Sequence, residues 1–360
     1  MNFEKLDSYL HTLSEECGLP AYGCAVHVGG REAFRAGNDT VDRNFFRFYS
    51  ATKPLTGFCA MQLIEQGRLG LYDRVADYLP AFSALTYRSE DGIRPLETPP
   101  RIWHLLSMSG GFDYDDEFPE MHRLLDSRGQ VRSEEALSLL AQRPLHFVPG
   151  THYKYSLGLD ILGAVIEKIS GMTLAEYMEK NIFMPLGCRE LTFYPTREQY
   201  DRMPPQLYRE GLSGPEKENC FLHARHFPSG GCGLCGTVDD YMLFLDMLAN
   251  DGVTRDGRRL LGRETMNLFR TPLLNSDAQR ELVSDRVEPE WQALGVRTRP
   301  VEPLRGMYTA DGAAGAYCLA HKESGVAVMF ATHVLGDLAL YREVPSAIFR
   351  LTCEALGDIL

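Results

Sequence analysis

The chain has no long apolar run, no surplus of positive charge and no regular cysteine framework. Without an unbroken apolar stretch of roughly 18 residues or more, a membrane-spanning helix is not expected. The first residues, "MNFEKLDSYLHTL", place acids where a secretory leader would be basic, so no signal peptide is expected and the reading is cytoplasmic. Acids exceed bases by 49 to 37, giving a formal charge of -12 that repels phosphate backbones and anionic bilayers. Neither nucleic acid nor membrane is an expected partner. Nine cysteines, an odd number scattered without pattern, fit reduced thiols better than a disulfide scaffold. No serine lies in a G-x-S-x-G elbow, and there are no repeats or low-complexity tracts.

A hydrophobic share of 44% over 360 residues is enough for one large domain or two. Phe3, Leu6, Leu10 and Leu13 recur at helical spacing before "GLP". "YGCAVHV", Gly29-Gly30 and "REAFRAG" then read as a hairpin. The far end mirrors this order: "AYCLAH" and "VAVMFATH" are strand-like runs joined by "KESG", followed by a closing helix in "YREVPSAIFRLTCEALGDIL". The pattern predicts one antiparallel sheet from both termini flanked by helices, an α+β fold, with residues 1–52 and 300–360 in the sheet part and 53–299 mostly helical. The helical middle is carried by stretches such as "PLTGFCAMQLIEQG", "LDILGAVIEKISG" and "VDDYMLFLDMLAN", with Gly and Pro marking loops at 96–100, 147–150, 204–205 and 228–236.

Within "FYSATKPL", Ser50 stands three residues before Lys53, at the junction of a strand-like run and a helix whose first turn tolerates Pro54. An S-x-x-K occurs about once by accident in a chain this long. If the helix starts near Ala51, both side chains share one side, and a neutral lysine in apolar surroundings could take the serine's proton. The plainer alternative is a helix-capping serine beside a solvated lysine.

Five segments in order give the tetrad its context: "FRFYSATKPLTGFCAMQLIEQGRLGLYDRVADYLP", "IWHLLSMSGGFDY", "VPGTHYKYSLGLDILGAVIEKISGMTLAEYMEKNIFMPLGC", "PSGGCGLCGTVDDYMLFLDML" and "DGAAGAYCLAHKESGVAVMFATH". Together they resemble the serine β-lactamase and penicillin-binding-protein-like hydrolases, nearest the class C β-lactamase-like and family VIII esterase branch. The resemblance implies a β-lactamase/transpeptidase-like fold with Ser50 as nucleophile and Lys53 and Tyr155 as its proton partners. Tyr155 comes from the segment "YSL", where Leu157 replaces the asparagine common in β-lactamases, a departure that points toward esterases. Tyr153 is its nearest competitor for that role.

The third motif, where relatives carry K-T-G, H-x-G or W-x-G, falls on Ala310, Asp311 and Gly312. It offers no cation for a substrate carboxylate unless Arg305 supplies one; Leu157, Asp311, Gly312 and Arg305 are the implied substrate contacts, with a merely solvated strand-end acid as the plainer alternative for Asp311. Gly312 permits close backbone approach, and the amides of Ser50 and Ala313 are the implied oxyanion hole.

Cys220, His223, His226, Cys232 and Cys235 lack finger spacing, so no metal or other cofactor is expected. His104, His146 and His152 raise a Ser-His-Asp alternative, but His104 reads as a core histidine. Ser107 and Ser109 read as loop-shaping; Asp115-Asp116 and Asp239-Asp240 read as a solvated face and a helix start. The expectation is a serine hydrolase working through an acyl-enzyme on a small ester or amide, most simply a carboxylesterase. β-Lactam hydrolysis, cleavage at D-amino acid residues and a non-catalytic binding module are the alternatives, and the sequence leaves the oligomeric state open.

Overall fold

The computed structural model describes residues 1–15, 18–19, 21–37, 45–114, 132–209, 227–283 and 289–359. Seven strands form the central sheet: β1 (Tyr22–Val28), β2 (Arg31–Gly37), β3 (Trp291–Gln292), β4 (Arg297–Thr298), β5 (Tyr308–Asp311), β6 (Tyr317–His321) and β7 (Val326–Thr332). Their order is β2-β1-β7-β6-β5-β4-β3, antiparallel throughout. The two ends of the chain meet where Tyr22 faces Thr332 and Val28 faces Val326. Gly29 and Gly30 turn the first hairpin with φ of 59° and 72°, a region that favours glycine. β3 and β4 lie ahead of residue 300, where the sequence reading began the C-terminal part of the sheet; strands of two residues carry too little alternation to be seen.

Alternation along β7 assigns its two faces. Val326, Val328 and Phe330 join a core with the terminal helices α1 (Glu4–Glu15) and α5 (Leu338–Leu356), while Ala327, Met329 and Ala331 face the main core. A sheet covered on both sides has apolar residues at nearly every position, which is why "YGCAVHV" alternates so weakly.

On the main-core side lie α2 (Lys53–Glu65), α3 (Gly158–Ser170) and α4 (Val238–Ala249). Every residue of α2 from Lys53 to Leu63 is buried, so it is a core helix without a solvent face. α4 packs across β1, β6 and β7. Its start is more than the helix beginning read from the sequence: Asp240 is buried and accepts the amides of Arg189 (2.7 Å), Glu190 (2.5 Å) and Leu191 (3.2 Å).

A charged pin ties α4 to β1. Asp246 takes His27 Nδ1 at 2.9 and 3.1 Å and Arg255 Nε and Nη2 at 3.1 and 2.5 Å. Among the described residues, no helix is long and apolar enough to cross a membrane.

Candidate active site

Ser50 occupies the strand-to-helix junction, but the α-helix begins later than Ala51. Residues Tyr49–Thr52 form a single 3-10 turn, and α2 proper starts at Lys53 with Pro54 in its first turn. Tyr49 has φ of 48°, a left-handed conformation that costs free energy in a bulky residue and persists only where its surroundings fix it. Here they do. Phe48 N donates to Leu234 O (3.0 Å), Thr52 Oγ1 donates to Tyr49 O (2.6 Å), and Tyr241 OH donates to Ala51 O (2.6 Å).

The structure brings Ser50, Lys53 and Tyr155 together. Ser50 Oγ accepts Lys53 Nζ at 2.9 Å and Tyr155 OH at 2.5 Å, and Lys53 also donates to Gly231 O at 2.8 Å. Lys53 is 5% exposed, and burial pushes its pKa down to about 8 against the opposing pull of Asp160, Cys232 and Asp311. Tyr155 is 39% exposed, and so is no core aromatic; its ring stacks on Tyr114 with centroids 5.4 Å apart. Lys53 Nζ lies 4.5 Å from the Tyr155 centroid and 5.4 Å from that of Tyr114.

These groups open into a cleft of about 290 Å³ bounded by Met108, Gly295, Val296, Thr309, Ala310 and Asp311. Gly295 comes so near α2 that a Cβ on it would sit 2.8 Å from Gly57 Cα. Gly312 follows on from this wall, and a Cβ there would lie 2.2 Å from Phe48 O, so the end of β5 lies close against the turn that carries Ser50. Ala313, next in line, is exposed, and its amide has no backbone acceptor among the described residues.

Three substrate-side expectations change. Leu157 is 2% exposed and lines a separate cavity with Leu145 and His146, because α3 starts at Gly158 and turns it into the core. Arg305 is exposed on a turn outside the cleft; besides Lys53, the cleft is lined by Arg297 of β4. Asp311 is not solvated: it is 5% exposed, 2.8 Å from Arg297, and accepts Tyr341 OH at 2.9 Å. Arg297 also lies 3.1 Å from Glu290, so both of its carboxylate neighbours come from this chain.

The histidines lie elsewhere. His104 accepts the Arg101 amide at 2.8 Å and is driven down to about 4 by burial, while His146 pairs with Asp113 and His152 with Glu281; none lines the Ser50 cleft. Ser107 and Ser109 are buried and bonded to each other. Cys232 and Cys235 are buried in the glycine-rich loop, and no metal-holding cluster occurs among the described residues; Cys220, His223, His226 and the Asp115-Asp116 pair lie outside them. Tyr114, Asp160 and Arg297 escaped the sequence reading. Asp160 had a signal, being an acid between Leu159 and Ile161 on an otherwise apolar helix.

The chain is similar to several known proteins. Esterase EstB of Burkholderia gladioli is 32% identical over 264 residues, covering 64% of this chain and 63% of the esterase. The lovastatin esterase of Penicillium rubens is 34% identical over 223 residues, covering 57% and 55%. The matched segments thus span less than two thirds of these relatives. Among solved structures, EstCE1, a hydrolase with promiscuous acyltransferase activity, superposes with a TM-score of 0.77 at 24% identity, covering 96% of this chain and 98% of that one. Simvastatin synthase LovD of Aspergillus terreus superposes with a TM-score of 0.77 at 20% identity, with 99% of each chain covered. The Beta-lactamase family profile matches residues 6–350, and the chain belongs to that family, on a β-lactamase/transpeptidase-like fold.

Proposed function

We propose that the protein is an esterase-like serine hydrolase that forms an acyl-enzyme at Ser50. The observation that carries this reading is the convergence of Lys53 Nζ and Tyr155 OH on one hydroxyl, at 2.9 and 2.5 Å. Ser50 Oγ attacks the carbonyl carbon while its proton passes to neutral Lys53. The amides of Ser50 and Ala313 take the developing oxyanion. Tyr155 relays the proton to the departing alcohol as the C–O bond breaks, and water then releases the acyl group by the reverse path.

The cleft's charges favour an uncharged acyl group. Arg297 is held by Asp311 and Glu290, so a substrate carboxylate would meet acid rather than an available cation. This argues against β-lactams, whose carboxylate needs such a partner. The partner is therefore a small neutral ester. A cytoplasmic setting suits the thiols, since seven cysteines among the described residues form no disulfide.

Labelling with a fluorophosphonate probe tests the nucleophile: the native protein should label and Ser50→Ala should not. A folded native protein that fails to label would end the hydrolase reading in favour of a binding module. A matched pair of nitrophenyl esters, butyrate and hemisuccinate, tests the charge argument. The neutral ester should lead by about tenfold in kcat/KM.

A further inference from the structure

We propose that Asp160 is a positioning residue: it holds Lys53 through the glycine-rich loop and sets the pH at which that lysine can accept a proton. The inference builds on the reading of Lys53 as the base. Asp160 lies in the first turn of α3, five residues after Tyr155, and is 2% exposed. Its Oδ1 accepts Ser229 Oγ at 2.5 Å and the Gly231 amide at 3.1 Å. Lys53 Nζ donates to the carbonyl of that same Gly231 at 2.8 Å. One glycine is thus gripped at its N–H by the acid and at its C=O by the amine. α3 thereby steers Lys53 through Asp160 as well as reaching Ser50 through Tyr155.

A simple loop clamp would use both carboxylate oxygens, and this one does not. Asp160 Oδ2 is buried without a hydrogen-bond partner among the described residues, and so is the Tyr114 hydroxyl. Both face Gly231: a Cβ on that residue would lie 2.4 Å from Oδ2 and 3.0 Å from the Tyr114 oxygen. Only glycine leaves this space open. A buried carboxylate with one oxygen unbonded is less screened by hydrogen bonds, and the charges of Asp160 and Lys53 act on each other.

Asp160 from α3, Cys232 from the loop and Asp311 from β5 raise the affinity of Lys53 for its proton, against the burial that lowers it. The Tyr114 and Tyr155 rings complete its surroundings. Asp160 in turn is raised by burial and drawn down by Ser229, Lys53 and the Gly231 amide. Removing its charge leaves burial less opposed, so Lys53 releases its proton at lower pH.

The test is Asp160→Asn in the full chain, with two readouts. One is the Lys53 titration, followed by NMR on protein carrying 15N-lysine and assigned with Lys53→Ala. The other is the pH dependence of fluorophosphonate labelling at Ser50. Both midpoints should move to lower pH by about one unit, a tenfold gain in neutral lysine, and Asp160→Glu should restore them. Should the asparagine variant not fold, Asp160→Ser leaves room for a water at the Gly231 amide and carries the same expectation. A lower melting temperature or slower labelling with an unmoved Lys53 midpoint would mean that Asp160 only shapes the loop, and would overturn the proposal. If the native protein does not label and yet the NMR midpoint moves, the hydrolase reading fails while the coupling of Asp160 to Lys53 stands.

Discussion

Two buried charged clusters in this molecule are satisfied to very different degrees. At the pin between β1 and α4, both oxygens of Asp246 are bonded, by His27 and by Arg255. At Ser50, Lys53 and Asp160 share Gly231 but form no ion pair within 4 Å among the described residues, and an Asp160 oxygen goes unused. Complete pairing fixes charge and stabilises a helix against a sheet. Incomplete pairing leaves an amine whose charge is costly, and a costly charge is one that is readily given up near neutral pH.

Lys53→Met should break the contrast most sharply. Activity should fall about a thousandfold or more, since Ser50 loses its proposed base. Stability moves the opposite way. The unfolded chain holds the lysine proton up to pH 10.5 and the folded chain only to about 8, so the native state carries a penalty of about 3 kcal/mol below pH 8 that fades as pH rises to 10.5. Denaturant titrations should show the methionine variant gaining stability at pH 6 and little at pH 10. An equal gain at both would show that lysine charge is not the cause.

At the pin the outcome inverts. Asp246→Ala leaves His27 and Arg255 without their shared acceptor and should cost about 3–5 kcal/mol, with labelling per folded molecule unchanged. Gly312→Ala sharpens the comparison from the backbone side. Its Cβ collides with Phe48 O, so the end of β5 must move off the turn that carries Ser50. A fall of about 10- to 100-fold in kcat is expected with KM little changed, and a parallel rise in KM would place the damage in binding instead.

Much of this was legible in the linear sequence. The terminal hairpins declared themselves through turn glycines and apolar runs, and the Ser50, Lys53 and Tyr155 segments through their order and context. The cleft's far wall was not legible. Arg297 and Glu290 belong to a stretch with strands only two residues long, and their pairing with Asp311 spans neighbours in space that leave no spacing in the chain. Asp311 looked solvated because a lone acid at a strand end usually is; only the packing of α5, which brings Tyr341 to it, buries it. Leu157 was singled out by its place in the motif, where β-lactamases carry asparagine, and motif position does not show that the chain turns its side chain into the core just before α3 begins at Gly158.

The contact between Gly295 and Gly57 bears on how such a pocket can be altered. Because this stretch of wall is already bare backbone resting on the core helix, trimming a side chain there gains nothing, and adding one meets main-chain atoms within 3 Å. Remodelling for bulkier acyl groups must therefore act on side chains elsewhere in the enclosure, such as Met108, Val296 or Thr309.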